Sequence, residues 1–315
     1  MRKTRENSGG WATNLGAMTA LALDVGGTKM AAALVGPDGR PRDAATVPTP
    51  ESGVWDACAA LLRKVTHGTT VKSVGIASAG PVDTTAGTVA PVNMPEWRDG
   101  FPIVDAVRAL FPSTAVYLAL DGSAAALAEH RLGAGRGTAD LLGVVVSTGV
   151  GGGVIRGGRI EGGRTGNAGH IGHMAVPGGT ERCGCGSVGC LETVASGPAA
   201  LRWARANGWV GATGADLAVD AALGEPTAAD ALERAGTALG QAFASAAALL
   251  DVGLVVVGGG FAQAGPALWD PMIAAAARHA RLSFVRDLRP VPAGLGVLGT
   301  LTGAGLLAID GLRPA

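Results

Sequence analysis

A short apolar segment that ends in a glycine-rich turn occurs twice in this sequence, and this recurrence constrains the fold more than any other feature. The first segment, residues 19–24, runs into Val25-Gly26-Gly27-Thr28, and the second, residues 141–147, runs into Thr148-Gly149-Val150-Gly151-Gly152-Gly153. A further apolar run follows each turn, so the order strand, glycine turn, strand is expected in each half. Because helical patterns follow both, the simplest architecture is two α/β halves that face each other.

The spacing of apolar residues predicts the elements that complete the two halves. Helices are expected over 51–65, 227–250, 268–280 and 301–308, and strands over 30–35, 44–47, 71–77 and 254–257. The glycine-rich link at 133–137 is the expected domain boundary. We therefore expect a disordered tail over 1–18, a small N-terminal α/β domain over 19–135, a large C-terminal α/β domain over 136–300, and a C-terminal helix in 301–315 that can pack on the N-terminal domain.

Charge and composition exclude several classes of function. The 315 residues include 25 basic and 25 acidic side chains, so no long-range field attracts the chain to nucleic acid or to an anionic membrane. The sequence has no apolar stretch of the roughly 18 residues that a membrane span requires and no signal-peptide core at its start. Its 4 cysteines are too few and too clustered for a secreted disulfide framework. We expect a cytoplasmic protein with a small-molecule partner.

The two glycine turns suit phosphate groups. Asp24 stands at a strand end beside Gly26 and Gly27, where the missing side chains let backbone N–H groups approach a phosphate. Asp24 could orient Mg²⁺, and Thr28 could donate to phosphate. An ordinary hairpin turn explains this motif equally well alone, but the second turn repeats the device. Neither turn has the Walker pattern or opens a helix in a dinucleotide-binding unit, which disfavours P-loop and nicotinamide proteins.

A cluster of thiols suggests a metal site. Cys183, Cys185 and Cys190, with His173 upstream, supply three thiolates and an imidazole, which is a tetrahedral donor set for a structural Zn²⁺. The alternative is three free thiols in a glycine-rich loop. Cys58 lies on the apolar face of its predicted helix and is expected in the core.

Three further polar residues are candidates for a functional role only because of the residues near them. Asp121 follows an apolar run and precedes a helical one, so its carboxylate could serve as an accessible base, although an N-cap aspartate is the simpler interpretation. His170 and Glu192 flank the thiol cluster, which could hold them rigidly, and each is otherwise an ordinary polar residue.

Together, both glycine turns and the segment 169–192, with its Gly-His-Ile-Gly-His start and glycine-bracketed cysteines, resemble the ROK family of bacterial sugar kinases and sugar-responsive repressors. The resemblance covers nearly the whole chain. It implies the two-domain actin-like ATPase fold, which is ribonuclease H-like and of the hexokinase type, with ATP and sugar in an interdomain cleft that closes. It also implies a homodimer or homotetramer.

The resemblance also implies roles for individual residues. Asp121 falls on the family's catalytic aspartate, which would accept the proton of the attacking sugar hydroxyl. His173 is asked to bind zinc through one ring nitrogen and sugar through the other. The positions that match ATP and phosphate contacts are Asp24, Gly26, Gly27, Thr28, Lys29, Thr148, Gly149, Gly151, Gly152, Gly258, Gly259 and Gly260. Those that match sugar contacts are Gly80, Asn93, Leu120, Asp121, His170, His173 and Glu192.

Two departures from the family pattern bear on the substrate. Leu120 stands where the family usually has Asn, and His170 stands where it usually has Glu. Changing two hydrogen-bonding positions alters which sugar is preferred. We expect ATP-dependent phosphorylation of the 6-hydroxyl of glucose or a glucose-like sugar, including amino-modified ones such as kanosamine. The alternatives are a kinase for N-acetylmannosamine or mannose, and a non-catalytic sugar-sensing protein. A repressor would need a helix-turn-helix, for which the segment before Leu21 is too short.

Overall fold

A computed structural model describes residues 19–312, so the tail predicted over 1–18 lies outside the described residues. The strands are β1 (Ala20–Val25), β2 (Lys29–Val35), β3 (Pro41–Pro48), β4 (Ser73–Ser78), β5 (Val82–Asp83), β6 (Thr88–Val89), β7 (Ala115–Leu120), β8 (Leu141–Val146), β9 (Val150–Arg156), β10 (Arg159–Glu161), β11 (Leu254–Gly258) and β12 (Arg289–Pro292). The helices are α1 (Val54–Thr66), α2 (Ile103–Leu110), α3 (Asp121–Leu132), α4 (Leu191–Ala195), α5 (Gly197–Ala206), α6 (Gly214–Ala222), α7 (Pro226–Leu250), α8 (Pro266–His279) and α9 (Gly299–Asp310).

Two five-stranded sheets of matching design organise these elements. Their strand orders are β3-β2-β1-β4-β7 and β10-β9-β8-β11-β12. In the first sheet β1 pairs antiparallel with β2 and parallel with β4, and in the second β8 pairs antiparallel with β9 and parallel with β11. Strands β1, β4, β8 and β11 are buried along most of their length, as continuous apolar runs covered on both faces should be. The strand, turn, strand order predicted for both halves is therefore present.

Helices cover both faces of the sheets. Helices α1 and α2 pack on the outer face of the first sheet, and α4 to α8 form the large core on the outer face of the second. Between the sheets, α3 contacts β8 and β9 while α9 contacts β1, β4 and α3. The ion pair between Arg131 and Asp310, at 2.9 Å, joins these two helices. The layered arrangement leaves the carboxyl ends of β1, β7 and β8 near one another.

The chain passes between the sheets at two places. After α3 it enters the second sheet through 133–140, and after β12 it returns through 293–298 to α9. Helix α9 shares a core cluster with Ala20, Ala22 and Ala77 of the first sheet. The domain bounds 19–135, 136–300 and 301–315 stay predictions.

Some elements differ from the sequence prediction. Strand β12 carries Pro290 and Pro292, which break an apolar run and suit the sheet edge where the strand lies. Helices α4 to α6 are short and rich in small residues, so they give little helical periodicity. None of the helices in residues 19–312 combines the length and the apolar character needed to span a bilayer.

The close contact between α9 and α3 depends on Gly303. A Cβ at Gly303 would overlap the backbone carbonyl of Ala124, whereas a Cβ at Gly299, in the same helix, would meet nothing within 4 Å. We expect Gly303→Ala to lower the free energy of unfolding by about 1 to 3 kcal/mol, because backbone atoms cannot yield as a side chain can. Gly299→Ala is the matched control and should be neutral or slightly stabilising. Urea unfolding of both variants measures this, and equal midpoints would contradict it.

Candidate active site

Two carboxylates lie at the same edge of the first sheet. Asp24 is near the end of β1 and Asp121 directly follows β7, and both strands run parallel to β4 between them. Burial first, and then the Asp121 carboxylate, raise the pKa of Asp24 to about 7 against the opposing charge of Lys29. Burial also raises the pKa of Asp121 to about 6, although the Gly122 N–H donates to its Oδ1 at 2.6 Å. Two crowded acids at this edge favour a site that receives a proton or a cation.

The second glycine turn passes beside Asp121. A Cβ built on Gly151 would lie 4.0 Å from Asp121 Oδ1, and Gly122 packs directly on the backbone of Gly152. Helix α3 therefore begins against the turn between β8 and β9. The structure brings the predicted base and the predicted second phosphate turn together.

Glu192 joins the second turn to the thiol segment. It lies in the first turn of α4, two residues after Cys190, and its Oε2 accepts the N–H of Val150 at 2.9 Å. A Cβ at Gly149 would lie 2.5 Å from the same oxygen, so the turn needs a glycine there. The predicted sugar residue Glu192 is thus bonded to the predicted phosphate turn.

The first glycine turn packs against the loop that carries Asn93. A Cβ at Gly27 would overlap the Asn93 side chain, so these two predicted residues are in contact. Thr28 is exposed on the turn, and its carbonyl accepts the N–H of Thr49 at 3.0 Å. Just beyond Asn93, Trp97 is buried and stacks on Phe101 with ring centroids 4.3 Å apart. This aromatic pair anchors the loop.

Gly80 lies against both residues that depart from the family pattern. A Cβ at Gly80 would be 2.6 Å from Leu120 Cδ1 and 2.8 Å from His170 Nε2. The Leu120 side chain is only 1% exposed and belongs to the core of the first sheet. Leu120 is the last residue of β7 and points into that core. The structure therefore does not expose its side chain to the space between the sheets, where a sugar contact was expected.

The surroundings of His170 disfavour the charged form of its imidazole. Burial lowers its pKa first, and the nearby His173, whose ring centroid is 5.6 Å away, lowers it further. Its Nε2 lies 3.3 Å from Asn167 Oδ1, which also accepts the N–H of Val82 at 2.9 Å. Because that amide oxygen only accepts, the His170 Nε2 carries the proton in this contact. The position usually held by a carboxylate has lost its negative charge.

The thiol segment has the geometry of a tetrahedral metal site. The donor atoms of His173, Cys183, Cys185 and Cys190 all lie within 4.8 Å of one another. His173 Nδ1 is 3.6 Å from Cys183 Sγ, and Cys185 Sγ is 3.8 Å from Cys190 Sγ. With Zn–S of about 2.3 Å and Zn–N of about 2.0 Å, tetrahedral ligands are separated by about 3.8 Å between sulfurs and about 3.6 Å between nitrogen and sulfur. The four side chains fit Zn²⁺, and Nδ1 of His173 is the nitrogen that faces the thiols.

Two cavities border the glycine turns. One of about 200 Å³ is lined by Asp24, Lys29 and Gly258, Gly259 and Gly260. The other, of about 520 Å³, adjoins Ser147, Thr148 and Gly260, and apart from Gln263 its other walls are apolar or small residues. Those that the sequence analysis missed include Pro198, Leu201, Ala215, Ala218 and Phe261. These belong to no motif and come from separate elements, so only the folded chain collects them. A flat apolar ring would suit the second cavity.

The comparisons with known proteins agree with this geometry. The sequence profile of the ROK family matches residues 20–311. The chain belongs to the ROK family. An N-acetylmannosamine kinase from Shigella boydii is 39% identical over 251 residues, which are 77% of this chain and 83% of that protein.

Two solved ROK structures have the same fold. A glucokinase from Streptomyces griseus, in complex with glucose and AMPPNP, has 33% identity and a TM-score of 0.81, covering 93% of this chain and 99% of that one. A hexokinase from Thermus thermophilus has 35% identity and a TM-score of 0.81, covering 94% and 99%. The predicted ROK family, the actin-like ATPase fold and the sugar-kinase class are confirmed.

The metal site leads to a direct test. We expect the purified ROK chain to contain about one zinc ion, and Cys185→Ser to lose most of it, because a closed four-ligand shell tolerates few losses. Cys58→Ser is the matched control, since Cys58 is buried in the first-sheet core away from the cluster. Elemental analysis after gel filtration measures the zinc. A wild-type chain without metal, or equal zinc in both variants, would be the contrary result.

Proposed function

We propose that this ROK sugar kinase transfers the γ-phosphoryl group of ATP to the 6-hydroxyl of an uncharged hexose, with N-acetylmannosamine preferred and glucose second. The observation that supports it most is the place of the Asp121 carboxylate, which lies 4.0 Å from a Cβ built on Gly151 in the second glycine turn and interacts with Asp24 beside the first. A base at that place can take the hydroxyl proton while N–H groups on both sides hold phosphate oxygens.

Asp121 is suited to act as the base. Its pKa of about 6 leaves the carboxyl ionised at neutral pH yet more basic than an ordinary aspartate. The Gly122 N–H bond at 2.6 Å fixes the carboxylate at the start of α3, so little reorientation is needed when it accepts the proton. Such a base contributes about 10²- to 10⁴-fold to the rate.

ATP and Mg²⁺ fit the gap between the sheets. Asp24 would hold the hydrated Mg²⁺, and Lys29 and the glycine turns would hold the phosphates. The cation supplies positive charge to the transferring phosphoryl group. Burial and the Asp121 carboxylate raise the pKa of Asp24 to about 7, so a bound cation would stabilise the ionised form of Asp24. Gly260 lines both cavities, and the larger cavity would receive the adenosine.

The sugar would lie between Asn93, His170, His173 and Glu192. We propose that a bound Zn²⁺ on Nδ1 of His173 holds its ring so that the other nitrogen faces the sugar. Glu192 would bind a ring hydroxyl while its Oε2 keeps the bond to Val150. The zinc is structural because all four of its positions are filled by protein atoms.

The neutral His170 bears on the choice of sugar. A free amino sugar carries an ammonium group at neutral pH, which a carboxylate at this position would stabilise and an imidazole does not. An N-acyl N–H or a hydroxyl is uncharged and can donate to Nδ1 of the neutral ring, because Nε2 is engaged by Asn167. This disfavours the kanosamine-like substrates considered from sequence, and the similarity to an N-acetylmannosamine kinase at 39% identity supports our choice of N-acetylmannosamine ahead of glucose.

The base assignment predicts a pH dependence. Because a base must be deprotonated, kcat/KM should fall as the pH drops through about 6, the raised pKa of Asp121, rather than near the ordinary value of 3.8. Asp121→Asn should lower kcat about 10²- to 10⁴-fold. The exposed Asp56→Asn is the control and should keep full turnover. Initial rates of ADP release between pH 5 and about 9 measure both effects.

Stability separates loss of the base from loss of the fold. The folded pKa of Asp121 lies above its unfolded value, so its contribution to stability is greatest below pH 3.8 and falls as the pH rises through about 6. Asp121→Asn should therefore be at least as stable as wild type at alkaline pH. Full turnover in a stable Asp121→Asn variant would refute the base assignment.

A panel of sugars tests the substrate. We expect the largest kcat/KM for N-acetylmannosamine, a lower value for glucose, and values at least about tenfold below that of N-acetylmannosamine for glucosamine and kanosamine. The 6-deoxy forms should bind without turnover, because they lack the attacking hydroxyl. ADP release with each sugar measures this. Sugar binding with no turnover on any hexose would favour a non-catalytic sugar-sensing protein instead.

A further inference from the structure

Glu129 is a buried acidic residue that the proposed reaction does not use. It lies in the last turn of α3 and is only 5% exposed. No ion pair among the described residues involves it. The carboxyl end of a helix also disfavours a negative charge, because the unpaired carbonyls there carry partial negative charge. A glutamate rarely occupies such a place unless other groups compensate it.

The compensation comes from three backbone N–H groups. Ala134 N and Gly294 N each donate to Glu129 Oε2 at 2.9 Å, and Leu295 N donates to Oε1 at 2.8 Å. Both oxygens of the carboxylate are therefore bonded. Hydrogen bonds to a charged acceptor are stronger than those between neutral groups.

The donors belong to the two passages between the sheets. Ala134 lies in the segment that leads from α3 to β8, and Gly294 and Leu295 lie in the segment that leads from β12 back to α9. The Glu129 carboxylate thus accepts hydrogen bonds from both connecting segments. Glu129 also lines the smaller cavity, beside Ala293 and Gly296 of the returning segment.

We infer that Glu129 is a positioning residue that clasps the two connecting segments and so sets the shape of the cavity between the sheets. Helix α3 carries Asp121 at its first residue and Glu129 near its last. The clasp therefore fixes the helix that places the base, from the opposite end. This goes beyond the proposed phosphoryl transfer, and only its effect on nucleotide binding rests on that function.

A neighbouring glycine supports the clasp independently. A Cβ at Gly133 would overlap Glu129 Oε2, so this position has no side chain where the carboxylate turns toward the link. The backbone carbonyl of Glu129 also accepts the N–H groups of Gly133 at 3.0 Å and Gly135 at 2.9 Å. Replacing the side chain leaves these backbone bonds in place, so a variant isolates the carboxylate.

The test is hydrogen exchange of the full chain without ligands, followed by mass spectrometry. Glu129→Gln keeps the size of the side chain but replaces one accepting oxygen by an NH₂ group, and Glu129→Ala removes all three bonds. We expect exchange to accelerate in both 133–138 and 293–298, by about tenfold or more in the alanine variant and less in the glutamine variant. Gly133→Ala should have the same effect without removing the charge. Glu233→Gln, on an exposed face of α7, is the matched control and should exchange as wild type.

A functional readout separates positioning from general destabilisation. Because Glu129 acts on the cavity wall, its variants should raise the dissociation constant of MgADP and the KM for ATP several-fold while kcat changes less. Calorimetric titration with MgADP and initial rates measure this split.

Faster exchange in only one of the two segments, or no change beyond that of Glu233→Gln, would overturn the clasp. If Glu129→Ala does not fold, the glutamine and Gly133→Ala variants decide the question. The exchange result needs neither sugar nor ATP, so it stands even if no hexose is phosphorylated.

Discussion

The burial of two acids, Asp24 and Asp121, at one edge of the first sheet is the constraint on which the rest of the site depends. Neither acid has an ordinary pKa, because burial raises the pKa of both and the Asp121 carboxylate raises that of Asp24 further. The surrounding architecture answers this cost with positive groups: Lys29 beside one acid and the N–H of Gly122 on the other. In the proposed function, a nucleotide that brings its own divalent cation would add to this compensation, so its binding would also stabilise the ionised acids.

Glycine residues let several elements pack closely against one another at the candidate site. Gly27 meets Asn93, Gly149 meets Glu192, and Gly122 meets Gly152. In each pair, residues far apart in sequence are brought to van der Waals distance because one of them lacks a Cβ. The abundance of glycine in the sequence suggests only many turns. In the structure, several of these glycines allow specific contacts between the candidate functional segments.

The sequence predicts the elements whose pattern is local. The hairpin of β1 and β2 and the long α7 follow from continuous apolar runs and helical spacing, and the thiol cluster from ligand chemistry alone. What it could not predict depends on packing: the burial of Leu120, the lowered pKa of His170, and the hydrogen bond between Glu192 and Val150. Glu129 gave no signal either, because two of its three donors, Gly294 and Leu295, are 165 and 166 residues away in the sequence. The apolar cavity beside Thr148 likewise has walls from separate elements that share no motif.

Gly80 has a consequence for how specificity can change. Its backbone lies within reach of both Leu120 and His170, so the two unusual positions share one small volume. Substitutions at sites that share a neighbour do not act additively. A larger residue at either position would press on the backbone of Gly80, so we expect the two positions to be coupled. Laboratory evolution toward another sugar would therefore have to alter the two together, and single-site libraries would miss the productive combinations.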